Sequence, residues 1–210
     1  MKRSLLLVVC VLLTACAAPA KRDMSAFMAA SPRSILVVPV VNKTLDVDAP
    51  NYVLSSLPVP IAEKGYYVFP VNTTKFVLEQ EGLYEGERVR EMPAPALAKL
   101  FDADAILYVT IERWDARYVV LSTTVTVDFE YKMVSRDGTV LWEARQAMQW
   151  APQNDSSGHP LAVLIGAVVK AAMARAAPNY MPLTQQANLR AIVLGPTAIP
   201  DGPYRPKTAK

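Results

Sequence analysis

The 210-residue chain has little of what most catalytic sites are built from: one histidine, two cysteines and eight glycines. With His159 as the lone imidazole, neither a histidine-rich zinc cluster nor a histidine-centred triad can be assembled from its side chains. Both cysteines, Cys10 and Cys16, fall at the amino-terminal end. The glycines form no Gly-x-Ser-x-Gly elbow, no P-loop and no dinucleotide fingerprint, which removes the commoner hydrolase and nucleotide classes. Charge of one sign is also missing. The net charge of +3 from 22 basic and 19 acidic residues implies neither a nucleic acid nor a strongly acidic partner.

What is present begins with Leu13-Thr14-Ala15-Cys16, behind a basic start at Lys2 and Arg3 and an apolar run from Leu5 to Leu13. A short charged region, an apolar stretch briefer than the roughly 20 residues of a spanning helix, and small residues before the cut describe an export signal. The order at the cut resembles the lipobox of Gram-negative lipoproteins. That resemblance implies that residues 1–15 are removed and that Cys16 carries a diacylglyceryl group on sulfur and a third acyl chain on its amine. One acyl chain holds a protein on a bilayer only marginally, and two or three hold it firmly, at about 0.8 kcal/mol per buried methylene. Ala17 stands where an inner-membrane retention signal places aspartate, so the same resemblance favours the outer membrane. Cys10 leaves with the signal and Cys16 is acylated. No thiol then remains for a disulfide, a metal or nucleophilic catalysis, and stability must come from packing.

The remainder is long enough for one apolar core, and the expected divisions are a lipidated tether over 16–33, one α/β domain over 34–194 and a Pro-rich extended tail over 195–210. Ser34 to Val41 is a β-branched run typical of a buried strand, with Pro39 limiting its ladder. Pro58 and Pro60 break Tyr52 to Lys64 into two short helical pieces, and Gly65 caps the second. Tyr66 to Val71 reads as a strand. Thr73 or Thr74 can cap the next helix, with Phe76, Val77 and Gln80 on one side. Charged turns over Glu85 to Glu91 lead to a helix marked by Leu97, Leu100 and Phe101, then to a third strand from Ala105 to Ile111. Val119 to Met133 alternates strictly, Asp137-Gly138 suits a type I′ turn, and Val140 to Trp150 returns as the second arm of a long antiparallel hairpin. Leu161 to Ala177 is an apolar, Ala-rich helix that either fills the core or makes an oligomer contact, and a last helix is expected from Leu183 to Leu194. The fold class is α/β: a mixed sheet with a parallel βαβ half and a long antiparallel hairpin, packed with helices and ending in carboxy-terminal helices.

Three segments carry a wider resemblance: Gly65-Tyr-Tyr-Val-Phe-Pro-Val71, Phe101-Asp-Ala-Asp-Ala-Ile-Leu-Tyr-Val-Thr-Ile111 and Gly138-Thr-Val-Leu-Trp142. They are similar to a family of Gram-negative lipoproteins that includes a meningococcal surface antigen. The order of strands and helices also resembles the periplasmic domain of the curli secretion lipoprotein and the amino-terminal domain of the Tol-system periplasmic protein. Members of the family are often encoded beside a curli-secretion-like lipoprotein. The resemblance therefore implies a non-enzymatic accessory subunit of a secretion-like envelope assembly, anchored in the outer membrane and facing the periplasm, with surface exposure left open. Its partners would be the membrane through Cys16, a curli-secretion-like lipoprotein or other envelope proteins, and a second copy of itself, with no nucleic acid and no cofactor.

The other candidates have bland readings. Asp102 and Asp104, like Asp46 and Asp48, are pairs at i and i+2, far short of a calcium loop and suited to capping turns. Trp114, Tyr118, Trp142 and Trp150 suit a core better than an interface. On the hairpin, Asp128, Glu130 and Lys132 give one face the character of a solvated sheet rather than a membrane-inserted element. The competing class is a hydrolase or ligand-binding domain at the cell wall, whose site would have to be built from carboxylates alone and would show as a deep pocket with two inward-facing acids.

Overall fold

In the computed structural model the described residues are 22–119, 122–150 and 179–206. Cys16, His159 and the apolar stretch 161–177 lie outside them, as do the side chains of 118–123. Strands β1 (Ser34–Val37), β2 (Val41–Asn42), β3 (Tyr67–Val68), β4 (Ala105–Val119), β5 (Ser122–Ser135) and β6 (Val140–Trp150) form one sheet in the order β3-β1-β4-β5-β6, with β2 also paired to β4. The β1 strand runs parallel to β3 and β4, whereas β4, β5 and β6 form an antiparallel meander. The sheet is therefore mixed, as the alternation of patterns along the chain requires.

Helices cover it unequally. One face packs on α1 (Ser25–Ala30), α2 (Ala49–Ser56), α3 (Pro58–Glu63) and α7 (Met181–Leu189), which continues as a π turn over Arg190–Leu194. On the other face, α4 (Val71–Gln80), α5 (Gly86–Glu91) and α6 (Ala94–Phe101) bury Leu78, Val89 and Leu97 against Leu36, Val38 and Ile106. Four of these helices start with proline in the first turn, at Pro50, Pro58, Pro95 and Pro182, where no amide hydrogen is required. Among the described residues, β5 enters the second cluster only at Val134 and β6 does not enter it.

Several expectations need revision. The first strand is two, because Pro39 has no amide hydrogen: Val38 N still reaches Leu107 O at 3.3 Å, and pairing resumes only at Val41 against Thr110. The strand expected from Tyr66 to Val71 is reduced to Tyr67–Val68. Helix α4 starts after Pro70 rather than at a Thr73 or Thr74 cap, which rotates Thr74 and Leu78 inward and leaves Phe76 60% exposed. The charged stretch before Glu91 contains α5, held by the burial of Val89. The long hairpin is present as β5 with β6, and it is part of a meander, since β5 also pairs with an extended β4 up to Val119↔Ser122. A bulge between Ile111 and Arg113 shifts the parity of β4, so Trp114 and Ala116 stay on the same face as Val109 and Ile111. At the β5–β6 turn only Gly138 has positive φ, at 90°, so the turn is not type I′. Asp137 is held instead by its side-chain bonds to the Ser135 and Thr139 hydroxyls.

The packed domain also extends past both expected limits, 34 and 194. Phe27, within the segment expected as tether, is 2% exposed and packs edge-on to Tyr66 at 6.2 Å. The Pro-rich tail is docked: Ile199 is buried, Tyr66 Oη donates to Pro200 O at 2.8 Å, and Gly202 N donates to Lys64 O at 2.7 Å. Gly65 makes this approach possible. Its φ is 88°, and a Cβ there would lie 2.3 Å from Arg205 N.

Candidate functional site

The half of the second sheet face that no described helix covers holds a cleft of about 390 Å3. Alternation along β4, β5 and β6 places Tyr108, Thr110, Glu130, Lys132, Glu143 and Arg145 there, while α5 and the chain before α1 bring in Arg90 and Arg22. Arg145 forks onto Asp128, Nε to Oδ1 at 3.0 Å and Nη2 to Oδ2 at 2.7 Å, and also reaches Glu130 at 3.3 Å. The hydrogen bond and the charge of Asp128 push the Arg145 guanidinium pKa up. Lys132 lies 3.7 Å from Glu143. Arg90 Nη1 donates to Thr110 Oγ1 at 2.9 Å. Burial raises the pKa of the neighbouring Tyr108 phenol, an effect the Arg90 charge opposes.

The acids of this cleft are therefore already matched to cations. Glu130 and Glu143 each lie within 4 Å of a cation, whereas a glycosidase needs a raised-pKa acid opposite a second carboxylate. A second cleft of about 420 Å3 opens beyond Pro39 and Val40, at the carboxyl end of β1, rimmed by Val47, Lys75, Tyr84 and Glu87. Its shape depends on Gly86, where a Cβ would sit 2.5 Å from Val40 O.

The residues singled out from sequence mostly have structural roles. Asp104 Oδ2 accepts from Arg33 N at 3.0 Å, Ser34 N at 3.1 Å and Ser34 Oγ at 3.2 Å, joining the starts of β1 and β4. Asp102 takes the left-handed position after α6 and meets Arg136 at 3.0 Å. Asp46 accepts from Trp114 Nε1 at 3.1 Å and from Asp48 N at 2.9 Å. Trp114 is buried and stacks on Tyr180 at 4.3 Å, and Trp142 is buried with its Nε1 on Thr197 O at 2.6 Å. Trp150 is 51% exposed. Among the described residues no group of three or more His, Cys, Asp or Glu side chains could hold a metal ion, and no helix is long and apolar enough to cross a membrane.

Sequence reasoning missed Arg90, Tyr108, Thr110 and Arg145. A signal existed for Arg145, which falls at the same period-two phase as Glu143 on the return strand. Nothing local marked Arg90, because its segment reads as a charged turn.

Comparison with known proteins agrees with the resemblance carried by the three segments. The family model described as "Putative lipoprotein GNA1162-like" matches residues 22–204. The chain is 34% identical over 150 residues to "Putative lipoprotein NMB1124/NMB1162" of Neisseria meningitidis serogroup B, covering 71% of this chain and 67% of that protein. The crystal structure of lipoprotein GNA1162 from Neisseria meningitidis superposes with a TM-score of 0.56 at 33% identity, covering 66% of this chain and 96% of that one. This chain belongs to the GNA1162-like lipoprotein family.

Proposed function

We propose that the protein is an outer-membrane-anchored lipoprotein whose α/β domain faces the periplasm and serves, without catalysis, as an accessory subunit of a curli-secretion-like envelope assembly. The observation that carries this reading is Leu13-Thr14-Ala15-Cys16, six residues ahead of a matched segment that begins at residue 22 in a family of lipoproteins. Acyl chains on Cys16 confine the domain to a lipid surface, where contacts with other proteins become effectively intramolecular. The pairing of the cleft carboxylates with Arg145 and Lys132 supports a role in binding over one in hydrolysis. Affinity purification of the tagged full chain from detergent-solubilised membranes, alongside Cys16→Ser, tests the reading. Stoichiometric recovery of a secretion-type lipoprotein with the wild type alone is expected. Recovery of no envelope protein would count against the assembly.

A further inference from the structure

We propose that the cleft between Arg22, Arg90 and Lys132 binds the phosphate of an anionic lipid headgroup in the membrane that anchors the chain. This rests on the anchoring proposed for Cys16, and three observations carry it further. The first is unmatched charge. Arg145 is satisfied by Asp128 and Glu130, and Lys132 faces Glu143. Arg22 and Arg90 have no carboxylate within 4 Å among the described residues, and Arg90 is steadied by the Thr110 hydroxyl instead. Glu112, another acid near Arg145, is engaged by Lys43 at 2.6 Å.

The second observation is geometric. Donors converge on a space of about 390 Å3 from four places: the chain at residue 22, α5 through Arg90, β4 through Tyr108 and β5 through Lys132. A phosphate offers acceptor oxygens in several directions and suits such a set, whereas a planar carboxylate uses only one fork of it. The third is placement. Arg22 follows Cys16 by six residues, so a fully extended chain puts it no more than about 20 Å from the acylated residue. A basic cleft held that close to a bilayer meets headgroups at high effective concentration.

The test measures thermal unfolding of the full acylated chain in neutral detergent, with mixed micelles of phosphatidylglycerol, with mixed micelles of phosphatidylcholine, and with inorganic phosphate alone. Arg22→Gln/Arg90→Gln is compared with Arg88→Gln/Lys99→Gln, which removes the same charge from exposed positions outside the cleft. Phosphatidylglycerol should raise the Tm of wild type and of the control pair by about 5 °C near saturation, and phosphatidylcholine should not. In the cleft pair the apparent affinity should fall at least tenfold, read as the lipid-induced shift from that variant's own lipid-free Tm. A rise retained by the cleft pair, or no rise with phosphatidylglycerol, would overturn the proposal. An equal rise with inorganic phosphate would overturn the lipid as its source. The intact mass of the same samples reports acylation separately, so a failed anchor and a failed headgroup site give different results.

Discussion

Tyr131 Oη donates to Asn188 Oδ1 at 2.7 Å in the middle of the core, and Asn188 Nδ2 donates in turn to Ser56 Oγ at 2.8 Å. Ser56 completes the chain by donating to Val53 O at 2.9 Å. Three elements that share no sequence neighbourhood, β5, α7 and α2, are thereby fixed in one register. A buried polar chain of this kind adds little net stability when complete and costs much when broken. Tyr131→Phe leaves the Asn188 carbonyl without its donor and should cost about 1–3 kcal/mol in urea unfolding. A double-mutant cycle with Asn188→Ala should show coupling above about 0.5 kcal/mol, and strictly additive losses would contradict the network.

Thr74 presents the opposite case. Its Oγ1 is buried on α4 with no hydrogen-bond partner among the described residues. Thr74→Val keeps the shape and removes the unsatisfied hydroxyl, so stability should stay equal or rise by up to about 1 kcal/mol. A loss of more than about 1 kcal/mol at the urea midpoint would mean that the hydroxyl has a partner.

Burial raises the phenol pKa of Tyr66, Tyr108, Tyr131 and Tyr180, and nearby carboxylates reinforce the shift at Tyr66, Tyr131 and Tyr180. The unfolded chain releases these protons near pH 10 and the folded chain does so higher, so the unfolded state holds fewer protons between those limits. Stability is fully present below about pH 10 and is lost as pH rises toward the folded values. Urea midpoints measured from pH 8 to 11 should fall in the upper part of the range, with tyrosinate absorbance appearing together with unfolding rather than before it.

At the other end of the pH scale, the hydrogen bond from Lys64 at 2.5 Å, with help from Arg205, holds the Asp201 carboxyl pKa below the usual carboxylate range. A depressed carboxylate contributes stability that is present above its unfolded value near 4 and lost as pH falls through the folded value. Lys64 is nearly buried and fastens the carboxy-terminal tail to the end of α3. Asp201→Asn should lower Tm at pH 7 by a few degrees and flatten the acid limb, with amide exchange at Gly202 and Tyr204 rising first. Unchanged protection at those two amides would show that the tail is held by its backbone bonds alone.

How much of this could be read in advance depended on whether a signal was local. Alternation of Val125, Val127, Phe129, Tyr131 and Met133 identifies β5 without a structure, and all five are buried on one face. The break at Pro39 and the helix start at Pro58 also follow from the proline ring. The connection between β4 and β5 does not, because Val119 to Ser122 continues the alternation of its flanks and carries no turn residue. Parity in β4 is likewise set by a bulge that leaves no glycine behind. Phe27 and the docked tail at Pro200 and Gly202 carry no local signal, because their partners, Tyr66 and Lys64, are remote in sequence. The cleft was legible only as a polar sheet face. Its distinguishing feature, the Arg90 hydrogen bond to Thr110 in place of a carboxylate, is a tertiary contact.

In the proposed anchoring, acyl chains on Cys16 tether the domain to the outer membrane, and the intact mass of the mature protein extracted from membranes decides it. The expected species is a chain beginning at Cys16 and heavier by a diacylglyceryl group and an amide-linked acyl chain, with Cys16→Ser giving no such species and no outer-membrane fraction. An unmodified Cys16 on a chain recovered from the soluble fraction would contradict it.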